Sequence, residues 1–226
     1  MKLADFSIQS RMRPIKILKT LKRLPGVRPL ARCLGLSSKD ADPRAFLLRR
    51  FHGSIGAEIG VHKGEFSERI LRKVKPRKLY LIDPWKYESS DEYRDALYGR
   101  KAKGGQVEMD QLYDDVCNRL DRDIRVGRVT IHRGCSADVC GGFPDEYFDW
   151  VYIDGNHLYE FVEQDLDLFY RKVKPGGYMA GDDYMLGGWW RGGVELAVDE
   201  FVRNMPVELV EIRNYQFILR KRLSKS

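Results

Sequence analysis

No stretch of this chain approaches the ~20 consecutive apolar residues that a membrane-crossing helix needs. Cysteine is scarce. Its four copies, Cys33, Cys117, Cys135 and Cys140, show no CxxC spacing and no paired histidine, which argues against a zinc site or a redox dithiol. They read as free thiols, with a Cys135 to Cys140 bridge as the alternative. The 21 glycines lack a collagen period, and 12% aromatic content supplies core anchors that a disordered chain would not have. The N-terminus has neither an apolar core nor a small-residue cleavage site, so export is not expected and the cytoplasm is the default compartment. What is present is 226 residues, enough for one sizeable core and too few for two ordinary domains.

Charge is unevenly placed. Residues 1–50 hold 13 Lys and Arg against 3 Asp, whereas the remaining 176 residues hold 27 basic against 30 acidic side chains. Within this basic arm, Ile15, Ile17, Leu18, Leu21 and Leu24 recur at helical spacing among Lys16, Lys19, Lys22 and Arg23, and Pro25 and Gly26 end the pattern. A basic amphipathic helix of this kind suits either an anionic membrane surface or the flank of its own domain. Peripheral membrane contact through residues 1–50 is therefore kept open. A second short helix is predicted from Pro43 to Arg50, with Ser37, Ser38 and Asp40 as capping candidates.

From residue 54 the pattern changes to short apolar runs alternating with helical-period segments, the signature of an α/β parallel sheet with crossover helices. Strands are predicted at Ile55 to Val61, Leu79 to Asp83, Arg128 to His132, Asp149 to Asp154, Tyr178 to Gly181, Val207 to Arg213 and Tyr215 to Arg220. Helices are predicted at Glu65 to Val74, Val107 to Leu120, Leu158 to Val173 and Val194 to Asn204. The last two strands leave no room for a crossover helix and should form an antiparallel hairpin at one end of the sheet. Residues 84–106, rich in Tyr, Lys and Gly, read as a mobile insertion over the ligand crevice.

GAEIGVHKGEF, residues 56–66, carries a strand into a helix through Gly60 and Gly64, with Glu58 inside the strand. The GxGxxG of a dinucleotide-binding turn is missing, which disfavours a nicotinamide-dependent oxidoreductase. Glu58 would repel phosphates and suits a ligand with a cationic amino-acid tail. Asp83 closes the second strand, where a carboxylate can accept both hydroxyls of a ribose.

Through EIGVHKG, LYLIDPW, HRGCSADV, FDWVYIDGNH and VKPGGYMAGDDY, taken in that order, residues 50–221 resemble the class I S-adenosylmethionine-dependent methyltransferases. They are most similar to the macrocin O-methyltransferase-like enzymes of sugars and natural products. The resemblance implies a Rossmann-like, doubly wound, seven-stranded sheet, mostly parallel, with an N-terminal helical arm over residues 1–50 and a methyltransferase domain over residues 51–226. It also implies S-adenosylmethionine as cofactor, with Glu58 and Gly60 at its methionine end, Asp83 on the ribose, and Cys135 and Ser136 beside the adenine. Ser136 is equally placed to cap the following helix, and Ser67, either helix surface or cofactor neighbour, stays outside the candidate set.

The sequences YIDGNH and GDDY each end a strand, and in a doubly wound sheet those strands are neighbours ~4.8 Å apart. Asp154, Asp182 and Asp183 should then converge, the last two sharing a site only if the strand stops there. Carboxylates gathered without nearby cations raise one another's pKa values unless an ion neutralises them, and oxygen-only ligands select a hard divalent cation such as magnesium. His157 is the candidate proton acceptor beside Asp154. Some relatives place a carboxylate base two residues after the first strand-end Asp; here that position is Asn156, which cannot accept the proton. Trp85, Tyr87, Tyr93, Tyr98, Tyr113, Tyr184, Trp189 and Trp190 are candidates to stack on a sugar, to anchor the core or to join a homo-oligomer, and Gly187, Gly188, Gly192 and Gly193 suggest a loop that moves.

The expected activity is O-methylation of a sugar or glycosylated metabolite, with magnesium assistance. A catechol or phenolic O-methyltransferase is the enzymatic rival. A non-catalytic binding protein using the basic arm is the rival of another class. A nucleic-acid partner is not expected, because the chain beyond the arm is slightly acidic.

Overall fold

The computed structural model describes residues 44–51, 54–185 and 187–223. The predicted arm helix over residues 15–24 and the capping candidates before Pro43 lie outside them. Residues 44–51 belong to the same compact unit as the sheet. The reason is apolar anchoring: α1 (Ala45–Leu48) and the residues after it bury Leu47, Leu48 and Phe51, and Phe51 stacks on Trp150 with ring centroids 4.7 Å apart. Among the described residues no helix is long and apolar enough to cross a membrane.

The chain continues as β1 (Ile55–Ile59), α2 (Glu65–Lys73), β2 (Lys78–Asp83), a 3-10 turn at Asp91–Tyr93, α3 (Gln106–Arg119), α4 (Asp121–Arg125), β3 (Val129–Arg133) and α5 (Ser136–Cys140). It ends with β4 (Phe148–Ile153), α6 (Tyr159–Lys172), β5 (Val173–Gly181), α7 (Gly193–Asn204), β6 (Val207–Arg213) and β7 (Gln216–Lys221). The sheet order is β3-β2-β1-β4-β5-β7-β6. The first five strands pair in parallel, while β7 runs antiparallel between β5 and β6, so the C-terminal hairpin inserts its second strand inward. This is the Rossmann-like, mostly parallel sheet that the pattern and the resemblance implied.

Both faces are covered, which explains why the central strands read as continuous apolar runs rather than alternating ones. In β4, Trp150 and Tyr152 enter a core with Phe66 and Ile70 of α2 and Met109 and Val116 of α3, while Val151 and Ile153 enter a second core with Leu166 and Phe169 of α6 and Val198 of α7. Strand β5 starts at Val173, not at Tyr178. Its Lys-Pro-Gly-Gly stretch looks like a turn in sequence and forms a bulge within the strand: Phe148 pairs with Val173 and Trp150 with Tyr178, and Gly176 takes a φ of 79° between them. Proline, lacking an N–H, is tolerated where the ladder is irregular.

β1 lies between β2 and β4, so crossover connections leave it toward opposite sides and a crevice opens beyond the strand tips. In that crevice lies a cavity of about 720 Å³, within the usual range for small-molecule sites.

Candidate active site

The turn after β1 is set by Gly60, whose φ of 86° favours glycine. A Cβ added there would stand 2.0 Å from the Asp154 carbonyl oxygen, and the Asp154 N–H donates to the Ile59 carbonyl at 2.8 Å. The first-strand turn and the β4 tip are thus pressed together, and Gly60 fixes where Asp154 sits. Gly60→Ala combines left-handed strain with a clash against rigid backbone, and is expected to cost about 2–4 kcal/mol of stability. An unchanged midpoint in denaturant unfolding would contradict that packing.

Glu58 is 1% exposed and lines the cavity. Burial pushes its carboxyl up to about 8, against the Ser67 hydroxyl, which donates to it at 2.6 Å. The sequence reading gave Glu58 a standing negative charge that repels anions; buried in this way, it is mostly neutral at pH 7. Ser67, kept outside the candidate set, is fully buried as the partner of Glu58.

Asp83 also lines the cavity, yet is 1% exposed. Its Oδ2 accepts from the Val61 and His62 N–H groups at 2.7 and 3.0 Å and from the Tyr98 hydroxyl at 2.6 Å, and its Oδ1 accepts from the Trp85 N–H at 2.7 Å. Burial raises its pKa while these donors oppose the rise. Asp83 therefore holds the glycine turn in shape, and Tyr98 is the one side-chain donor that a ribose hydroxyl could replace without unmaking backbone bonds.

The tips of β4 and β5 carry the acids. Strand β5 ends at Gly181, and Asp183 adopts a φ of 59°, so the chain turns and both Asp182 and Asp183 face the cavity. One carboxylate oxygen each from Asp154 and Asp183 and a ring nitrogen of His157 lie within 4.8 Å of one another. The His157 Nε2 stands 3.4 Å from Asp154 Oδ1 and 3.4 Å from Asp183 Oδ2. Burial would lower the His157 pKa, but the hydrogen bond and charge of Asp154, with Asp183 and Asp182 behind it, outweigh burial and raise it.

Asp182 lies outside that trio. Its Oδ2 meets the Arg44 guanidinium at 2.5 Å, and its Oδ1 accepts from the Gln216 amide and, at 2.8 Å, from the Asp183 N–H. Arg44 also reaches Asp154 Oδ2 at 3.2 Å. The premise that no cation stands near these acids is thereby corrected: helix α1 supplies one. The oxygen donors of Asp154 and Asp183 still fit a hard divalent cation, with His157 beside them, whereas Asp182 as it stands is engaged elsewhere.

Asn156 bonds the insertion, its amide donating to the Tyr93 hydroxyl at 2.7 Å, and its Oδ1 accepts the Leu158 N–H at 3.1 Å. The aromatics divide. Tyr93, Tyr98, Trp189 and Trp190 line the cavity, and the Trp190 ring lies 5.0 Å from the His157 ring. Trp85 is a core residue, fully buried against Tyr113. Tyr184 donates to Asp199 at 2.6 Å. Gly193, expected in a moving loop, instead lets the start of α7 pack on the His157 carbonyl, 2.6 Å from where its Cβ would stand.

At the far end, Cys135 and Ser136 line the cavity together. Cys135, with Cys117 and Cys140, is a free thiol. The Ser136 hydroxyl donates to Asp165 of α6 instead of capping α5. Asp165 is 4% exposed, and burial pushes it up to about 7 against the bond from Ser136. A buried acid of this kind loses stability as pH rises from 3.8 to about 7, because the unfolded chain ionises first. Asp165→Asn removes the loss, so relative to the native chain the variant should gain up to about 4 kcal/mol between pH 4 and pH 8. Equal pH dependence in chemical denaturation would contradict this reading of Asp165.

Arg44 and Asp165 carry no local motif that announces their packing, and Ser67, named but set aside, is marked only by its place in α2. For Asp165, a position among apolar neighbours at helical period, between Val162 and Phe169, is the signal that could have found it.

The fold and the crevice define a Rossmann-like domain with a cavity of small-molecule size at the β1 and β4 tips. Residues 57–184 match the family model described as a methyltransferase domain, and the chain belongs to that family. No curated protein matches it. Among solved structures, it is similar to the O-methyltransferase TomG from Streptomyces achromogenes, solved with S-adenosylmethionine, at 16% identity over 86% of each chain and a TM-score of 0.57. It is also similar to the O-methyltransferase NovP, at 21% identity over 80% of each chain and a TM-score of 0.56. Cofactor-bound Rv0187 from MTB matches at 15% identity over 96% of this chain and 100% of that one, with a TM-score of 0.61. The chain is a class I S-adenosylmethionine-dependent methyltransferase.

Proposed function

We propose that this methyltransferase alkylates a hydroxyl oxygen of a sugar or glycosylated metabolite, with a divalent cation assisting. The observation that carries the reading is a single cavity that joins Glu58 and the Gly60 turn to Asp154, His157 and Asp183. The O-methyltransferase activity of TomG and NovP, proteins of the same fold, supports it.

In this reading the cofactor's ammonium takes the proton-poor form of Glu58, its ribose meets Asp83, and its adenine lies at Cys135 and Ser136. The sulfonium then faces the β4 tip. His157 accepts the alcohol proton at Nε2, and Asp154 with Asp183 stabilises the imidazolium that results. Distances of 3.4 Å are long for hydrogen bonds and are of the kind that tighten when substrate fills a site. A divalent cation on Asp154 and Asp183, with Asp182 as a further ligand, would lower the pKa of the acceptor hydroxyl and fix its oxygen. Trp189 and Tyr93, with centroids 5.5 Å apart, offer ring faces to a sugar.

The reading is tested by calorimetric titration with S-adenosylmethionine and S-adenosylhomocysteine, followed by a mass-shift screen of glycosides against catechols. Saturable binding of both and methylation of glycosides support it. Absence of binding at millimolar ligand refutes the cofactor assignment, and methylation confined to catechols refutes the sugar assignment.

A further inference from the structure

The acidic cluster already contains a positive charge, and its position is specific. Arg44 Nη2 lies 3.2 Å from Asp154 Oδ2 and 2.5 Å from Asp182 Oδ2. The guanidinium is seated, not dangling: it lies 4.5 Å from the Phe66 ring centroid and 5.6 Å from that of Tyr152. The other oxygen of Asp182 is taken by Gln216 and the Asp183 N–H, and Gln216 is itself fixed by the buried Tyr152 hydroxyl at 2.8 Å. Asp182 cannot turn toward an incoming ion without breaking that chain of bonds. Its only exchangeable partner among these is Arg44, whose backbone leads into the short helix anchored by Leu47 and Leu48.

From this arrangement we infer that Arg44 is a resident counter-cation of Asp154 and Asp182 that opposes the loading of a divalent ion at the acidic cluster, so that the arginine pairing and ion loading compete. The inference rests on the proposed cation-assisted reading of the same site. Like charges repel across so short a gap in a partly buried cluster, so an ion beside this pair is held less tightly while the guanidinium stays. Ion affinity in this chain is therefore set by α1 as much as by the acids. With Arg44 in place, Asp154 and Asp183 offer an ion only a partial set of ligands. With Arg44 withdrawn, Asp182 completes the set.

The test is an equilibrium titration of the full chain with Mn²⁺, free ion being read by electron paramagnetic resonance, for the native chain, Arg44→Gln, Arg44→Lys and the double change Arg44→Gln with Asp154→Asn. The expected result is one Mn²⁺ bound at least tenfold more tightly by Arg44→Gln than by the native chain, native-like weak binding in Arg44→Lys, which keeps the charge, and loss of the gain in the double variant. Equal or weaker binding by Arg44→Gln overturns the inference, as does a gain that survives Asp154→Asn. Because Arg44→Gln removes the arginine counter-charge from two acids, thermal unfolding is a second measure: Mn²⁺ should raise its midpoint more than that of the native chain, and equal shifts overturn the inference. S-adenosylhomocysteine binding by the same samples reports on the methyltransferase reading separately, since failure of the Arg44 competition leaves that binding intact.

Discussion

Glu58→Gln is expected to weaken S-adenosylmethionine binding about tenfold at pH 7 and more at pH 8, and to abolish the pH dependence of that binding. The sign follows from burial. The native carboxyl holds its proton up to about pH 8, and a cationic ammonium docking against it favours the ionised form. Binding must then release a proton, and affinity should rise with pH by up to tenfold per unit until about pH 8. A charge-assisted hydrogen bond contributes about 1.5–3 kcal/mol, which Gln recovers only in part. Calorimetry in buffers of different ionisation enthalpy reads the released proton directly. The loss will not be one of folding, because the native fold loses stability as pH rises from 4.5 to about 8 on account of this acid and the variant does not. Binding that is pH-independent in the native chain would remove Glu58 from the methionine end.

His157→Ala is expected to lower kcat by roughly 10²–10⁴ while leaving S-adenosylhomocysteine affinity within a factor of about 2, the signature of a group that acts only on the acceptor's proton. The split matters, because His157 also packs at 5.0 Å from Trp190 and a merely structural histidine would disturb binding and stability together. His157→Gln, which keeps volume and a donor, should not restore turnover. Activity within tenfold of native in either variant would move the proton acceptor elsewhere.

The fold was legible because its signals are local and repeated. Apolar runs such as LYLI and DWVYI announce buried parallel strands, and the short gap between β6 and β7 announces a hairpin. That β7, not β6, pairs with β5 was not legible, since both are short strands of similar composition and the choice depends on which buries more side chain; β7 is the buried one, β6 mostly exposed. At the site, strand-end residues were readable because strand order places Asp154 beside Asp182 and Asp183. The partners of those residues were not. Arg44 comes from 110 positions before Asp154, and nothing in a run of basic residues marks which arginine turns inward. Asp83 illustrates the same limit, its position being readable and its four donors not, because three are backbone groups placed by the Gly60 turn and its neighbours.

The most direct test of the account is a crystal structure of the full chain with S-adenosylhomocysteine bound. The account predicts the amino-acid tail at Glu58, the ribose in the place of the Tyr98 hydroxyl on Asp83, and the sulfur facing Asp154 and His157 across the β1 and β4 tips. A ligand seated outside that crevice, or a sulfur turned away from the β4 tip with His157 on the far side of the chain, would contradict it.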